Sequence, residues 1–132
     1  MDMTPEFILL ALTLILALVQ IGAAGMARTA ELGGKWNAGP RDGAAPPPGK
    51  VAGRLMRAQA NLFETLPLFA AAVIMAEVAG KTGVLTLWGA GLYFAARLVY
   101  LPLYALGVPW LRSLIWLVAL GGLVMVIAAL FA

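Results

Sequence analysis

The sequence predicts an all-α integral membrane four-helix bundle, and three observations carry that reading. Of the 132 residues, 63% are hydrophobic and 11% charged, against about 45–50% apolar and about 25% charged in soluble domains. The apolar residues fall into four runs of membrane-spanning length, and the basic residues gather around two of the three connections between them. A chain this short forms one domain. A soluble core of its size could not hide so much apolar surface, so lipid must be part of the solvent. Neither cysteine nor histidine occurs. Disulfides and thiolate metal sites are thereby excluded, and so is the commonest general base and metal ligand. No metal is expected. Any catalysis falls to Arg, Glu, Tyr, Ser or a thiol brought in by a substrate.

The first span covers about residues 7–27 and is interrupted only by Thr13 and Gln20. Its length matches the ~20 residues that carry a helix across ~30 Å of hydrocarbon. It reads as a retained span rather than a cleaved leader, because Asp2 and Glu6 stand where a basic region belongs and the apolar run is too long. Over residues 28–53 the composition turns to Gly, Pro and charge, including Pro46-Pro47-Pro48-Gly49, which predicts an extended loop. The second span covers about 55–78, and Gly80-Lys81-Thr82-Gly83 is a tight connection to the third, about 84–106. Gly107-Val108-Pro109 turns the chain into the fourth, about 110–131, with Pro109 suited to a first helical turn. Connections this short make the last three spans antiparallel neighbours.

Orientation follows from Lys and Arg near the span ends. Arg28, Lys35, Arg41, Lys50, Arg54 and Arg57 flank or occupy the first connection, and Arg112 lies beside the third. The second connection holds only Lys81, and the termini hold no basic residue. The positive-inside rule therefore places the first and third connections in the cytoplasm and both termini outside.

Charges within spans are costly, so each is a functional candidate. In the second span Arg54, Arg57, Asn61 and Glu64 are three, four and three residues apart, which sets them on one helical face. In the third, Tyr93, Arg97, Tyr100 and Tyr104 share a face by the same spacing. Glu64 and Arg97 each lie roughly 13–15 Å from the cytoplasmic end at ~1.5 Å per residue, so the two can neutralise each other, and Glu64 is expected within salt-bridge reach of an arginine. Such a pair could simply fix helix register. Arg54 and Arg57 could be snorkelling anchors, and the tyrosines an aromatic belt. The set as a whole is better explained by one cavity lined by Arg57, Asn61, Glu64, Arg97 and Tyr104, with Tyr100 and Arg112 adding to it. A cavity with that excess of cations suits an anion.

Two segments carry a family likeness. Arg57-Ala58-Gln59-Ala60-Asn61-Leu62-Phe63-Glu64 resembles the RAxxNxxE signature of the membrane-associated proteins in eicosanoid and glutathione metabolism, the MAPEG family. Arg97-Leu98-Val99-Tyr100-Leu101-Pro102-Leu103-Tyr104 with Arg112-Ser113 resembles that family's second block, and the likeness extends over nearly the whole chain. The resemblance implies a homotrimer with glutathione bound as cosubstrate at each subunit interface. It further implies glutathione contacts from Arg57, Asn61, Glu64, Arg97, Tyr100, Tyr104 and Ser113, with Arg112 stabilising the thiolate. Arg28 resembles a basic residue that some members use to hold a glutathione carboxylate. Ala60 stands where several eukaryotic members have arginine, Trp116 where some have tyrosine, and Tyr100 where some have histidine. The short, alanine-bearing form looks like the bacterial branch, which implies the bacterial inner membrane.

The leading functional expectation is a glutathione-dependent transferase or peroxidase acting on lipophilic electrophiles. Its expected partners are membrane lipid, glutathione and a lipophilic substrate, with no nucleic acid. A non-catalytic subunit of the same fold within a larger membrane complex is the alternative, favoured by Ala60. A small multidrug transporter using Glu64 as a proton site is a third reading, opposed by the arginines, which would repel cationic drugs.

Overall fold

A computed structural model describes residues 2–132. The chain forms α1 (Pro5–Leu32), a short α2 (Gly34–Ala38), α3 (Lys50–Val78), α4 (Val84–Ala105) and α5 (Pro109–Ala129). All but α2 are long and apolar enough to cross a membrane.

Local chemistry sets the ends. Thr4 caps α1 by accepting the Phe7 N–H at 3.3 Å, and Pro5 occupies the first turn, where its missing N–H costs nothing. Gly80 and Gly107 both adopt positive φ. Each terminates its helix with a paired bond set, Lys81 N to Ala76 O at 2.8 Å in one case and Val108 N to Leu103 O at 3.0 Å in the other. Pro109 then opens α5.

The loop expected over residues 28–53 is shorter than that. The Ala-Arg-Thr-Ala-Glu-Leu stretch keeps α1 helical to Leu32, where Gly33 at φ 90° ends it. At the other side α3 already begins at Lys50, so Gly53 lies inside a helix. The long span helices therefore differ in reach. α1 and α3 have 28 and 29 residues against 22 and 21 in α4 and α5, a surplus of roughly 10 Å at 1.5 Å per residue.

The far end of the bundle shows where that surplus goes. There Glu6 accepts a 3.0 Å hydrogen bond from the Thr86 hydroxyl, and the Thr4 hydroxyl donates to Glu77. These contacts level α1, α3 and α4 at that end. The extra turns of α1 and α3 must project at the opposite, arginine-rich end, beyond the last turn of α4.

Small residues bring the helices together. α4 and α5 approach closely at Gly89 and Gly122, where a Cβ on Gly122 would come within 2.5 Å of the Gly89 carbonyl oxygen. Leu62, Phe69, Val73, Tyr93, Leu123 and Val126 fill the interior. Most of the remaining large apolar side chains, Leu18, Val78, Trp88 and Trp110 among them, are exposed on the outside of the bundle. Such a surface suits hydrocarbon as its solvent.

Candidate functional site

The site is built where α3, α4 and α5 meet at the basic end. α3 presents Arg54 and Arg57 on successive turns of one face, α4 presents Tyr104 in its last turn, and Gly107 lets the chain double back so that Arg112 arrives one turn into α5. These five residues, Arg54, Arg57, Tyr104, Gly107 and Arg112, line a cavity of about 320 Å³. Among the described residues no acid lines it.

Tyr104 is its centre. The Arg57 Nε donates to the Tyr104 hydroxyl at 3.1 Å, and the Arg57 and Arg112 guanidinium carbons lie 5.9 and 4.7 Å from the centre of its ring. Both distances fall within the ~6 Å reach of a cation–π contact. A hydroxyl that accepts from a guanidinium keeps its own proton to donate, so the cavity presents only donors to an incoming ligand. Arg54 is fixed separately, by a 3.4 Å bond from Nη1 to the Ala105 carbonyl and by contact with Gly107. A Cβ on Gly107 would stand 2.8 Å from that guanidinium, so glycine serves here both for its φ of 75° and for the room it leaves.

A ladder of stacked groups leads from this cavity into the membrane interior. Tyr100 is tilted against Tyr104 with ring centres 5.5 Å apart, and the Arg97 guanidinium lies 4.4 Å from the Tyr100 ring. Arg97 is fully buried and donates from Nη1 to Asn61 Oδ1 at 2.7 Å. One turn farther along, Thr65 and Tyr93 are bonded at 2.8 Å, and Tyr93 stacks on Phe69 at 4.0 Å.

The expected Glu64–Arg97 pair does not form within the protomer. The only ion pair among the described residues joins Arg28 and Glu31. The cause is register. With Asn61 meeting Arg97 and Thr65 meeting Tyr93, Glu64 is level with Phe94 and turned about 60° from Asn61 toward the exposed face. A neutral amide is therefore the partner of the buried guanidinium.

The expected single cavity is likewise divided. Arg57, Tyr104 and Arg112 share it, whereas Asn61, Arg97 and Tyr100 lie behind it and Glu64 is exposed outside it. Ser113 is exposed and returns its hydroxyl to the Pro109 carbonyl at 3.2 Å. Arg28 lines a different hollow of about 240 Å³ with Trp36, Asn37, Arg41 and Met56. Arg54 and Gly107 were not among the sequence-derived site residues. The signal for Arg54 was present in its spacing from Arg57. Gly107 reads only as a turn until the guanidinium packed against it is seen.

Comparison with curated proteins and with solved structures finds no match. Comparison with protein families matches the MAPEG family over residues 7–132. With four helices long and apolar enough to span the bilayer and a family match over essentially the whole chain, this integral membrane protein belongs to the MAPEG family.

Proposed function

We propose that the chain is a glutathione-dependent transferase or peroxidase acting on lipophilic electrophiles, with its basic end in the cytoplasm, both termini outside, and the bacterial inner membrane as its setting. The observation that carries this reading is the acid-free cavity that Arg54, Arg57 and Arg112 line together with Tyr104. Glutathione brings two carboxylates and a thiol. One carboxylate suits the forked donors of Arg54 and Arg57, the other suits Arg28, and the sulfur suits Arg112, which lies against the Tyr104 ring. The cavity, about 320 Å³, is at the small end of the ~300–1,000 Å³ typical of ligand sites.

A free thiol titrates near pH ~8.5, and a neighbouring guanidinium lowers that value by favouring the anion. Arg112 remains a cation throughout the working range, so no general base is required, in keeping with a chain that has no histidine. The thiolate sulfur attacks an electrophilic carbon entering from the bilayer, a C–S bond forms, and the leaving group departs with its electron pair. On a lipid hydroperoxide the sulfur attacks the distal oxygen and the alcohol leaves after taking up a proton. The resulting sulfenic acid then consumes a second glutathione to give the disulfide and water.

A homotrimer accords with two features of the protomer. Arg57 and Glu64 are exposed on a face whose inner part lies at hydrocarbon depth, where charge facing lipid is expensive. Arg28 is separated from the main cavity, as a residue serving a neighbouring subunit's site would be.

The second reading, a non-catalytic subunit of a larger membrane complex, is favoured by Ala60, which leaves this face of α3 one cation short of the fuller family pattern. Calorimetric titration of the detergent-purified protein with glutathione, followed by conjugation of an aryl halide, separates the two. Binding with turnover supports the enzyme. A folded protein that neither binds glutathione nor turns over leaves the subunit. No native cysteine is present, so a single cysteine placed at the C-terminus tests the orientation, and it should react with an impermeant maleimide added outside.

A further inference from the structure

The projecting ends of α1 and α3 are joined by one carboxylate. Glu31 Oε1 accepts from Arg28 Nη1 at 2.9 Å, and Glu31 Oε2 accepts from the Gly49 N–H at 2.8 Å. The second arm of Arg28, Nη2, donates to the Pro46 carbonyl. Gly49 is the N-cap of α3, and no side chain of its own segment caps that helix. Glu31 supplies the cap from another helix, placing negative charge where the helix dipole favours it. A Cβ on Gly49 would fall 2.5 Å from Glu31 Oε2, so glycine is what lets the carboxylate reach the backbone.

Arg28 also faces a hollow lined by Arg41, Asn37, Met56 and Gln59. Among the described residues no acid lines it, although two guanidiniums do. The carboxylate that neutralises Arg28 therefore comes from its own helix, from beside the hollow rather than from within it. The strap that Glu31 and Arg28 hold, Pro46 to Gly49, continues against the main site. Pro48 and the Arg57 guanidinium both crowd the bare Cα of Gly53, with a Cβ there meeting Arg57 Nη1 at 3.1 Å and Pro48 Cγ at 3.8 Å.

We propose that Glu31 is a positioning residue that acts as an internal competitor. It occupies Arg28 and pegs the Pro46–Gly49 strap to α1 until a ligand carboxylate takes its place on Arg28, and this exchange releases the strap beside Arg57. The proposal rests on the reading that Arg28 takes a glutathione carboxylate.

Two substitutions separate the competing charge from the peg. Glu31→Gln removes the charge but keeps an oxygen for the Gly49 N–H, whereas Glu31→Ala removes both. Calorimetric titration of the full-length protein in detergent should show Glu31→Gln binding glutathione about two- to fivefold more tightly than wild type, the range that an exposed ion pair supports. The gain should vanish when Arg28→Ala is present as well. In the ligand-free protein, hydrogen exchange at the Gly49 amide, the strap N–H that Glu31 holds, should quicken in Glu31→Ala more than in Glu31→Gln, and glutathione should quicken it in wild type. Unchanged or weaker binding by Glu31→Gln, or a gain that persists without Arg28, overturns the competition. If none of the proteins binds glutathione, the ligand reading has failed rather than the peg, and unaltered exchange in Glu31→Ala then overturns the peg as well.

Discussion

The Arg112 guanidinium lies 4.7 Å from the centre of the Tyr104 ring, while Arg57 approaches the same side chain through its hydroxyl at 3.1 Å. One tyrosine thus orients two cations by two different interactions, and the two can be removed separately. Tyr104→Phe deletes the hydroxyl and keeps the ring. It should weaken glutathione binding about two- to tenfold, the value of one hydrogen bond, with little change in the thiol's titration. Tyr104→Leu also removes the platform beneath Arg112 and should raise the thiol pKa of the complex. Ultraviolet titration of the bound thiolate distinguishes the two variants. Identical titrations would show that the ring does not orient Arg112.

Among the described residues, Asn61 supplies the one side-chain oxygen that Arg97 meets in the protomer. The Arg97 Nε and Nη2 groups have no hydrogen-bond partner there. Asn61→Ala should therefore lower stability by about 1.5–3 kcal/mol, the range for a hydrogen bond to a charged group. Asn61→Asp keeps an acceptor and adds a countercharge, so it should be at least as stable as wild type. Thermal unfolding in a fixed detergent provides the measure. An aspartate variant less stable than the alanine variant would contradict the assignment of Asn61 as the guanidinium's acceptor.

The four spans were legible because each apolar run is of bilayer length and the Gly-Lys-Thr-Gly and Gly-Val-Pro turns leave few alternatives. The first loop was read too long. Gly53 and the basic residues on either side of the loop look like irregular structure in composition, whereas α1 continues past Arg28 to Leu32, where Glu31 and Arg28 meet Gly49 and Pro46 across the loop. The clustering of Arg57, Tyr104 and Arg112 was legible from helical spacing plus one tight turn. The partner of Arg97 was not. Asn61 and Glu64 share a broad face, and only the antiparallel register, fixed by contacts such as Thr65 with Tyr93, decides which of them lies opposite. Depth arithmetic good to about one turn cannot resolve residues three apart.

Gly121 and Gly122 are adjacent on α5 yet stand in opposite environments. A Cβ on Gly121 meets nothing within 4 Å, whereas on Gly122 it would meet the Gly89 carbonyl at 2.5 Å and the Tyr93 nitrogen at 2.8 Å. Both of those atoms are backbone, so α4 and α5 would have to separate. Gly122→Ala should lower the melting temperature clearly. Gly121→Ala should leave it unchanged or raise it slightly, in line with the roughly 0.5–1 kcal/mol by which alanine exceeds glycine in a helix interior. Equal effects of the two would mean that the close crossing does not govern packing.

The roles proposed for Arg112 and Arg57 differ in kind, and kinetics can separate them. If Arg112 stabilises the thiolate, Arg112→Ala should leave glutathione binding largely intact, because Arg54, Arg57 and Tyr104 still line the cavity. The thiol pKa in the complex should rise toward its free value of about 8.5. A raised pKa leaves less thiolate at any pH below it, so turnover near neutral pH should fall about tenfold for each unit of the rise. The deficit should narrow as pH increases through the new pKa, where both proteins hold glutathione as the thiolate. Arg57→Ala removes an anion clamp instead. It should raise the KM for glutathione at every pH and leave the shape of the kcat–pH profile unchanged. Rate–pH profiles of both variants at saturating electrophile decide the matter. If Arg112→Ala loses binding as severely as Arg57→Ala while its profile keeps the wild-type inflection, Arg112 is only a second clamp, and thiolate stabilisation must come from elsewhere in the cavity.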